Sequence, residues 1–293
     1  MILLTGGTGT IGRALLRRLV AARTPVRCLV RDPKRLGPDR VRVQIALGDL
    51  ADASSFRNAL RGVDTVVHLA AAIRDQPRAS IEELNALATL RLVRAAERSG
   101  ATRFVFASAI GASLQSPTRF FRSKALGRRA VESADLVTTM FAPSIVYAPG
   151  DPWVTLLERF SLLPVVPIAG AGKARFQPIW ADDVADCIVA ALERPGSEPR
   201  SEYDLAGPES LSYDELVRAV LRPVGRDRPL VHVPMPVVRR SLRALARVTG
   251  PATFATAEEA ELMEEPMITS RGTADAEALG VTPLRMSAVL GAT

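Results

Sequence analysis

The chain begins with Met1-Ile2-Leu3-Leu4-Thr5-Gly6-Gly7-Thr8-Gly9-Thr10-Ile11-Gly12, an apolar run that leads directly into a glycine-rich turn. Gly6 permits a tight turn, Gly9 lets the backbone approach a phosphate, and Gly12 lets the following helix pack closely. The free N–H groups in the first turn of that helix then face the anion. A strand before the turn and a helix after it are the context that a dinucleotide site requires. Residues 5–12 are therefore predicted to cradle a diphosphate.

Strand and helix patterns alternate through the first half of the chain. Buried strands are predicted at residues 2–5, 26–30, 41–47, 64–69, 103–107 and 136–141. Helices are predicted at residues 11–22, 53–60, 80–99 and 118–133, with a further helix at 180–192 and a strand at 202–205. Apolar strands separated by helices are typical of a parallel sheet covered on both faces. We predict an α/β fold, a doubly wound parallel sheet of the Rossmann type, whose ligands bind beyond the carboxyl ends of the strands.

The chain changes character at about residue 149, where prolines and glycines begin to cluster. We predict a nucleotide-binding domain over residues 1–150, with a returning segment at about 174–206. Residues 151–173 and 207–293 are predicted to form a smaller C-terminal substrate lobe. The apolar loop at 153–168 would line a pocket for a small-molecule substrate.

Composition excludes several classes of site. Cys28 and Cys187 form no C-x-x-C pair, and His68 and His232 are the only histidines, so no metal site is expected. Unpaired cysteines and the lack of a signal-peptide pattern predict a cytoplasmic protein. No apolar run is long enough for an integral membrane segment. The net charge is +7, but the basic residues are scattered and few aromatics accompany them, which disfavours a nucleic-acid partner.

Further motifs stand where the predicted strands end. They are Gly48-Asp49-Leu50, His68-Leu69-Ala70-Ala71, Phe106-Ala107-Ser108 and Pro143-Ser144-Ile145-Val146-Tyr147. Together with the glycine-rich turn, Asn85 and residues 177–185, they resemble the extended or atypical branch of the short-chain dehydrogenase/reductase superfamily. Residues 177–185 and the short loop after the fifth strand are most similar to the subgroup related to the NAD(P)-binding accessory subunit of respiratory complex I, an NmrA-like group. The resemblance covers about the first two thirds of the chain, and it implies NAD(P) binding and, in most members, hydride transfer.

The resemblance also implies roles for residues outside the turn. Asp49 would accept a hydrogen bond from the adenine amino group, although a turn-capping role fits it nearly as well. Asn85 would support the site through backbone and water contacts. Alternatively, Asn85 is a polar residue on the surface with no role in the site. His68 is interpreted as a strand-end histidine with satisfied hydrogen bonds. The remaining residues expected along the cofactor are Leu50, Leu69, Ala70, Ala71, Ala107, Lys124, Pro143 and Ile145, with Lys124 on the nicotinamide ribose hydroxyls as the resemblance implies.

The family's catalytic Tyr-x-x-x-Lys pattern is incomplete here. Lys124 stands where the lysine belongs, but Phe120 occupies the tyrosine position and has no proton to donate. Lys124 itself is a candidate acid/base if burial lowers its pKa, an arrangement that isoflavone-reductase-like members resemble. Ser108 is a further candidate, with Ser113 and Tyr147 as weaker ones. Alternatively Lys124 is an exposed helix lysine, or the site binds a nucleotide without turnover.

Charges after the second strand bear on the choice of coenzyme. Arg31 comes first there and Asp32 second, and Lys34 and Arg35 follow. Arginines accommodate the extra phosphate of NADP, whereas a carboxylate receives the ribose hydroxyls of NAD. We expect NADP in preference to NAD, with Arg31 and Arg35 as ligands. Asp32 rotating inward would favour NAD, and a solvated basic turn is the alternative to any cofactor role.

Three functions follow from the sequence, in order of preference. The first is an NADPH-dependent reductase of a small organic substrate. The second is a non-catalytic nucleotide-binding protein with a structural or redox-sensing role, and the third is a sugar-nucleotide epimerase or dehydratase. A monomer or a homodimer is expected. Residues 237–248 form a basic amphipathic pattern that suits an ordinary lobe helix, an anionic membrane or an acidic partner.

Overall fold

The structure is a computed structural model that describes residues 1–77, 79–194, 200–249 and 255–291. Its strands are β1 (Ile2–Thr5), β2 (Val26–Val30), β3 (Gln44–Leu47), β4 (Thr65–His68), β5 (Arg103–Ala107), β6 (Val137–Pro143), β7 (Val146–Tyr147), β8 (Val166–Ala169), β9 (Arg175–Phe176), β10 (Ile179–Trp180), β11 (Arg200–Leu205), β12 (Leu211–Ser212) and β13 (Leu230–Val233). Its helices are α1 (Thr10–Ala21), α2 (Ala53–Phe56), α3 (Ala88–Ser99), α4 (Arg119–Glu132), α5 (Pro152–Phe160), α6 (Ala181–Glu193), α7 (Tyr213–Leu221), α8 (Met235–Thr249), α9 (Ala257–Leu262), α10 (Ala274–Ala278) and α11 (Met286–Leu290). Short 3₁₀ segments cover Pro33–Val41 and Arg57–Leu60, and Glu83–Leu87 is π-helical.

A seven-stranded sheet in the order β11-β6-β5-β4-β1-β2-β3 forms the centre of the molecule. Every neighbouring pair in it is parallel. From β1 the chain builds outward to β2 and β3 on one side, and to β4, β5 and β6 on the other. The strand order therefore reverses between β1 and β4, and that crevice is where open α/β sheets bind ligands.

Helices cover both faces of the sheet. Side chains alternate along a strand, so Leu4 and Val67 pack into the core under α1 and α6, while Leu3 and Val66 pack into the core under α3. Both faces are buried, which explains why these strands read as continuous apolar runs. The predicted doubly wound Rossmann-type fold is confirmed.

Most predicted elements agree with the structure to within a few residues, and four differ. The segment predicted as an apolar loop at 153–168 consists largely of the helix α5 and the strand β8. The predicted strand 41–47 is only Gln44–Leu47, and it is largely exposed rather than buried, because it is the last strand of the sheet and has a neighbouring strand on one side only. The predicted helix 80–99 begins with the π-helical Glu83–Leu87, and the predicted helix 53–60 divides into α2 and a 3₁₀ turn. The segment anticipated at 202–205 is β11, which extends the sheet beyond β6.

The rest of the chain forms short strand pairs and helices around a separate apolar cluster. The pairs are β7–β10, β9–β12 and β8–β13. Helix α8 packs on α9, and α9 packs on α4. Among the described residues, no helix is both long and apolar enough to cross a bilayer, and no three acidic, histidine or cysteine side chains gather as metal ligands.

Candidate functional site

The glycine-rich turn packs directly against the loop that follows β4. Gly6 has a φ of +78°, and a Cβ built on it would lie 2.5 Å from the backbone N of Ala70. A Cβ on Gly12 would lie 2.0 Å from the carbonyl O of Gly6. A side chain is therefore excluded at both positions by backbone atoms. The Gly9 N–H closes the turn by donating to the Gly6 carbonyl over 2.9 Å.

The N-terminus of α1 has the features of an anion-binding site. Gly9 is its N-cap and provides no side-chain capping bond, and the first turn contains no acidic residue. The first helical hydrogen bond runs from the Arg13 N–H to the Gly9 carbonyl, so the amides of Thr10, Ile11 and Gly12 have no acceptor within the helix. These N–H groups and the positive end of the helix dipole fit a diphosphate.

The other expected cofactor residues lie along the same edge of the sheet. The Leu69 N–H donates to the Thr5 carbonyl over 3.1 Å, which joins the loop after β4 to the glycine-rich turn. The edge is completed by Ala70 and Ala71 after β4, Asp49 and Leu50 after β3, Ala107 at the end of β5, and Pro143 and Ile145 at and after the end of β6. Their role in binding stays a prediction, but the fold places them along the carboxyl edge of the sheet, on both sides of the β1–β4 crevice.

The basic turn after β2 borders a cleft. Arg31 and Asp49 line this cleft of about 290 Å³ together with Ala51, Gln76, Pro77, Ala79 and Leu84. The carboxylate of Asp32 accepts from the Lys34 N–H over 2.9 Å and caps the 3₁₀ segment, so it already has a local partner. Asp49 likewise accepts from the Ala51 N–H over 3.0 Å, which is the turn-capping role considered for it. Arg31 is exposed and free to face an anion in the cleft.

Lys124 is a buried lysine on α4, with only 3% of its surface exposed. Its Nζ donates to the carbonyl O of Ala107 and lies 4.6 Å from the centroid of the Phe106 ring. Burial lowers its pKa from the usual 10.5 to about 7, and no carboxylate among the described residues offsets that effect. The interpretation of Lys124 as an exposed helix lysine is wrong, because the side chain points into the protein at the end of β5.

The position one helical turn before Lys124 holds no proton donor. The ring of Phe120 is half-buried and meets the Phe121 ring edge-on at 5.4 Å between centroids. Among the other candidates, Ser113 hydrogen-bonds to Gln115 in its own turn. The hydroxyls of Ser108 and Tyr147 are buried without a hydrogen-bond partner among the described residues. Ser108 directly follows Ala107, so its unsatisfied hydroxyl lies next to the residue that Lys124 contacts.

His68 ends β4 in a buried hydrogen-bond network. The Thr89 hydroxyl donates to the Asn85 carbonyl over 2.7 Å, so it accepts from the His68 Nε2–H over 3.0 Å. The Nδ1 atom then carries no proton and accepts from the Thr5 hydroxyl over 2.6 Å. Burial, and secondarily the nearby Lys124, lower the pKa of His68 to about 3. His68 is thus a neutral, satisfied strand-end histidine, as the sequence indicated.

Asn85 joins the loop after β4 to the helix that carries Lys124. Its Oδ1 accepts from the Ala72 N–H over 2.8 Å, and its Nδ2 donates to the Ala72 carbonyl over 2.7 Å and to the Ser123 hydroxyl over 3.0 Å. It is 1% exposed, so the alternative of a surface polar residue is wrong. Sequence reasoning missed Ser123 and Thr89, whose only local signals are their positions next to Lys124 and four residues after Asn85.

Comparisons with known proteins agree with this geometry. A family model described as NAD(P)H-binding matches residues 6–144. The chain is 30% identical over 252 residues to the NAD(P)H azoreductase of Xenophilus azovorans, covering 84% of this chain and 81% of the relative. It is 29% identical over 249 residues to the mitochondrial NADH dehydrogenase [ubiquinone] 1 alpha subcomplex subunit 9 of Arabidopsis thaliana, covering 80% of this chain. This chain spans 60% of that subunit's length.

A solved nucleoside-diphosphate-sugar epimerase from Staphylococcus aureus superposes on the whole molecule. Its TM-score is 0.78 at 20% identity, with 99% of each chain covered, which supports the fold. The cradle at the β1–β4 crevice, the family model and the azoreductase relative lead to one conclusion. This chain belongs to the NAD(P)-binding, oxidoreductase-like proteins of the atypical short-chain dehydrogenase/reductase superfamily.

Proposed function

We propose that this protein is an NADPH-dependent reductase of a small organic substrate, in which Lys124 takes the place of the family's tyrosine as proton donor. The observation that carries the proposal is the buried Lys124 ammonium, held at the end of β5 with a pKa of about 7. A group with a pKa near the working pH can both hold and release a proton efficiently. An unused lysine buried without a carboxylate would be costly to retain.

Lys124 has donors to spare for a reacting group. An ammonium has three N–H donors, and one of them goes to the Ala107 carbonyl. The Phe106 ring face stabilises the positive charge without removing a proton from it. Lys124 can therefore donate a hydrogen bond, and then a proton, to an oxygen or nitrogen on a substrate that reaches this end of β5. The unsatisfied Ser108 hydroxyl is a second donor to orient that atom.

The described residues also fit a nicotinamide dinucleotide, which would supply the hydride when bound. The amides of Thr10, Ile11 and Gly12 would hold its diphosphate. Arg31, with Arg35 nearby, would hold the ribose phosphate of NADP, and the capping bond that occupies Asp32 supports NADP over NAD. The preference for NADP is part of the proposal.

The apolar cluster against which Phe120 packs favours an apolar substrate. Phe120, Ile145, Trp153 and Met263 are partly buried on one apolar cluster. Apolar walls with a few polar groups are typical of small-molecule pockets. We therefore place the substrate site in the C-terminal lobe next to Phe120, and we propose an apolar carbonyl, quinone or azo compound as substrate, the last by analogy with the azoreductase relative.

The test is NADPH oxidation measured with a panel of azo dyes, quinones and apolar aldehydes. Turnover should fall as the pH rises through about 7, because the acid form of Lys124 is lost. Lys124→Met should lower kcat by about 10²- to 10⁴-fold and abolish that limb of the profile. Lys173→Met, at an exposed lysine, is the matched control and should leave kcat unchanged. Full turnover by Lys124→Met would refute the proposed role.

A second candidate is a protein that binds the nucleotide without reducing a substrate. The packed ring of Phe120, which replaces the tyrosine hydroxyl, is the observation that favours it. Tight NADPH binding with no oxidation by any compound of the panel would support this alternative. The same missing hydroxyl places a sugar-nucleotide epimerase or dehydratase third.

We also propose a cellular compartment and an oligomeric state for the protein. Cys28 and Cys187 are both buried and unpaired, which suits the reducing conditions of the cytoplasm. We propose a monomer or homodimer there, acting on a small molecule rather than on nucleic acid.

A further inference from the structure

Helix α8 carries two neighbouring stripes of exposed side chains. Arg240, Arg243 and Arg247 form the first stripe, three and four residues apart. The second stripe is mainly apolar and consists of Val237, Ser241, Ala244 and Val248. Val237 is 50% exposed and Val248 is 86% exposed. Residues with these spacings lie on one side of a helix, so each stripe is continuous.

The basic stripe is not neutralised by the part of the chain that the structure describes. Arg239, on the adjoining face, pairs with Glu261 of α9 over 2.8 Å and ties α8 to that helix. No described carboxylate pairs with Arg240, Arg243 or Arg247. Three positive charges thus lie within about 10 Å along the helix axis.

Other large apolar side chains are exposed in the same half of the chain. Leu162 and Leu163, between α5 and β8, are 64% and 45% exposed. Val231 on β13, directly before α8, is 44% exposed and pairs in register with the exposed Pro167. Exposed apolar side chains beside basic ones are typical of an interaction surface.

We propose that α8 docks this protein reversibly on an anionic lipid surface. The headgroup region accepts both stripes at once, since short apolar side chains enter the acyl boundary while arginines contact lipid phosphates. A net charge of +7 adds to the attraction. A second copy of this chain is a poor occupant, because a twofold contact would bring the two arginine stripes together. Valine and alanine insert only shallowly, so the binding depends mainly on charge.

The location of α8 connects this surface to the candidate active site. Helix α8 packs on α9, and α9 packs on α4, the helix of Lys124. Docking would hold α4 close to the lipid, where apolar compounds concentrate. The docking itself does not depend on turnover, so it is tested without a substrate.

The experiment is sedimentation of the full chain with vesicles of phosphatidylcholine alone or mixed with phosphatidylglycerol. Binding is expected only to the anionic vesicles, and it should weaken as salt is added. The triple variant Arg240→Gln, Arg243→Gln, Arg247→Gln should lower the partition coefficient about 100-fold, roughly fivefold for each arginine. The matched control removes the same charge from exposed arginines of α3 and of the 3₁₀ segment Arg57–Leu60, by Arg57→Gln, Arg94→Gln and Arg98→Gln, and should retain most of the binding.

A labelled cysteine distinguishes docking through α8 from general attraction. Both native cysteines are buried, so Val248→Cys takes an environment-sensitive dye selectively. Its emission should shift to the blue on anionic vesicles. Three results would each overturn the proposal. They are no binding to anionic vesicles, an equal loss of binding in the control triple variant, and a dye emission that does not shift on anionic vesicles. So would binding to an acidic polypeptide but not to the vesicles.

Discussion

Replacing Lys124 with methionine should stabilise the fold, by an amount that depends on pH. Burial lowers the pKa of Lys124 from 10.5 to about 7, and each pKa unit corresponds to about 1.4 kcal/mol. Near pH 6 the buried lysine therefore costs the folded state about 5 kcal/mol. Methionine keeps an unbranched apolar stem, but it leaves the Ala107 carbonyl without its donor at a cost of about 1–3 kcal/mol. A net gain of about 3 kcal/mol in the free energy of unfolding is expected near pH 6.

The gain should shrink as the pH rises. The unfolded chain binds a proton at Lys124 up to about pH 10.5, whereas the folded chain releases it near pH 7. Between these pH values the unfolded wild type binds more protons than the folded one, so the free energy of unfolding of the wild type rises with pH. The variant has no group that titrates at position 124, so its free energy of unfolding does not include this rise. The difference between the two proteins should fall by about 3 kcal/mol from about pH 6 to about pH 9.

Urea unfolding of both proteins at the two pH values measures this difference. Taking the difference cancels the titration of the other groups, and Lys173→Met, at an exposed lysine, should show no comparable change with pH. A difference between Lys124→Met and the wild type that is the same at both pH values would mean that the pKa of Lys124 is ordinary. Lys124 would then hold its proton too tightly to act as a proton donor near pH 7.

Three further predictions concern the cradle, the coenzyme and the buried network. Gly9→Val should abolish dinucleotide binding in calorimetry, because a side chain there keeps the diphosphate away from the backbone. The circular dichroism of the fold should be unchanged, because Gly9 is exposed and its Cβ would meet only the Gly6 carbonyl, at 3.3 Å. Undiminished affinity would contradict the assignment of residues 5–12 as a diphosphate site. Arg31→Ala should weaken NADP binding by about 1.5–3 kcal/mol and NAD binding little, since it removes charge-assisted hydrogen bonds to the extra phosphate. Equal losses for the two coenzymes would show that Arg31 does not bind that phosphate. Asn85→Ala should lower the free energy of unfolding by about 2–4 kcal/mol, since it leaves the buried polar groups around Ala72 unpaired; a loss below about 1 kcal/mol would show that the network is not a structural link.

The sheet and the cradle were predictable because their signals are local. Continuous apolar strands such as 2–5 and 103–107 reflect burial on both faces, and the spacing of Gly6, Gly9 and Gly12 reflects the close approach of turn and helix. Lys124 could be identified from the sequence because the Tyr-x-x-x-Lys spacing marks its position without any knowledge of its contacts in the fold.

The features that sequence reasoning missed depend on contacts between distant residues. Ile45 and Leu47 of β3 are apolar yet exposed, because the strand order places them at an edge that no local pattern marks. The π-helical turn at Asn85 accompanies hydrogen bonds to Ala72, thirteen residues away. The Thr5–His68 hydrogen bond spans sixty-three residues. None of these contacts has a periodic signature.

Calorimetric titration with NADPH, NADP, NADH and NAD tests the central claim most directly, that glycine-shaped amide donors at the start of α1 bind a nicotinamide dinucleotide. The account predicts heat of binding with all four, strongest for the two that carry the extra phosphate next to Arg31. No heat with any of the four coenzymes would contradict it.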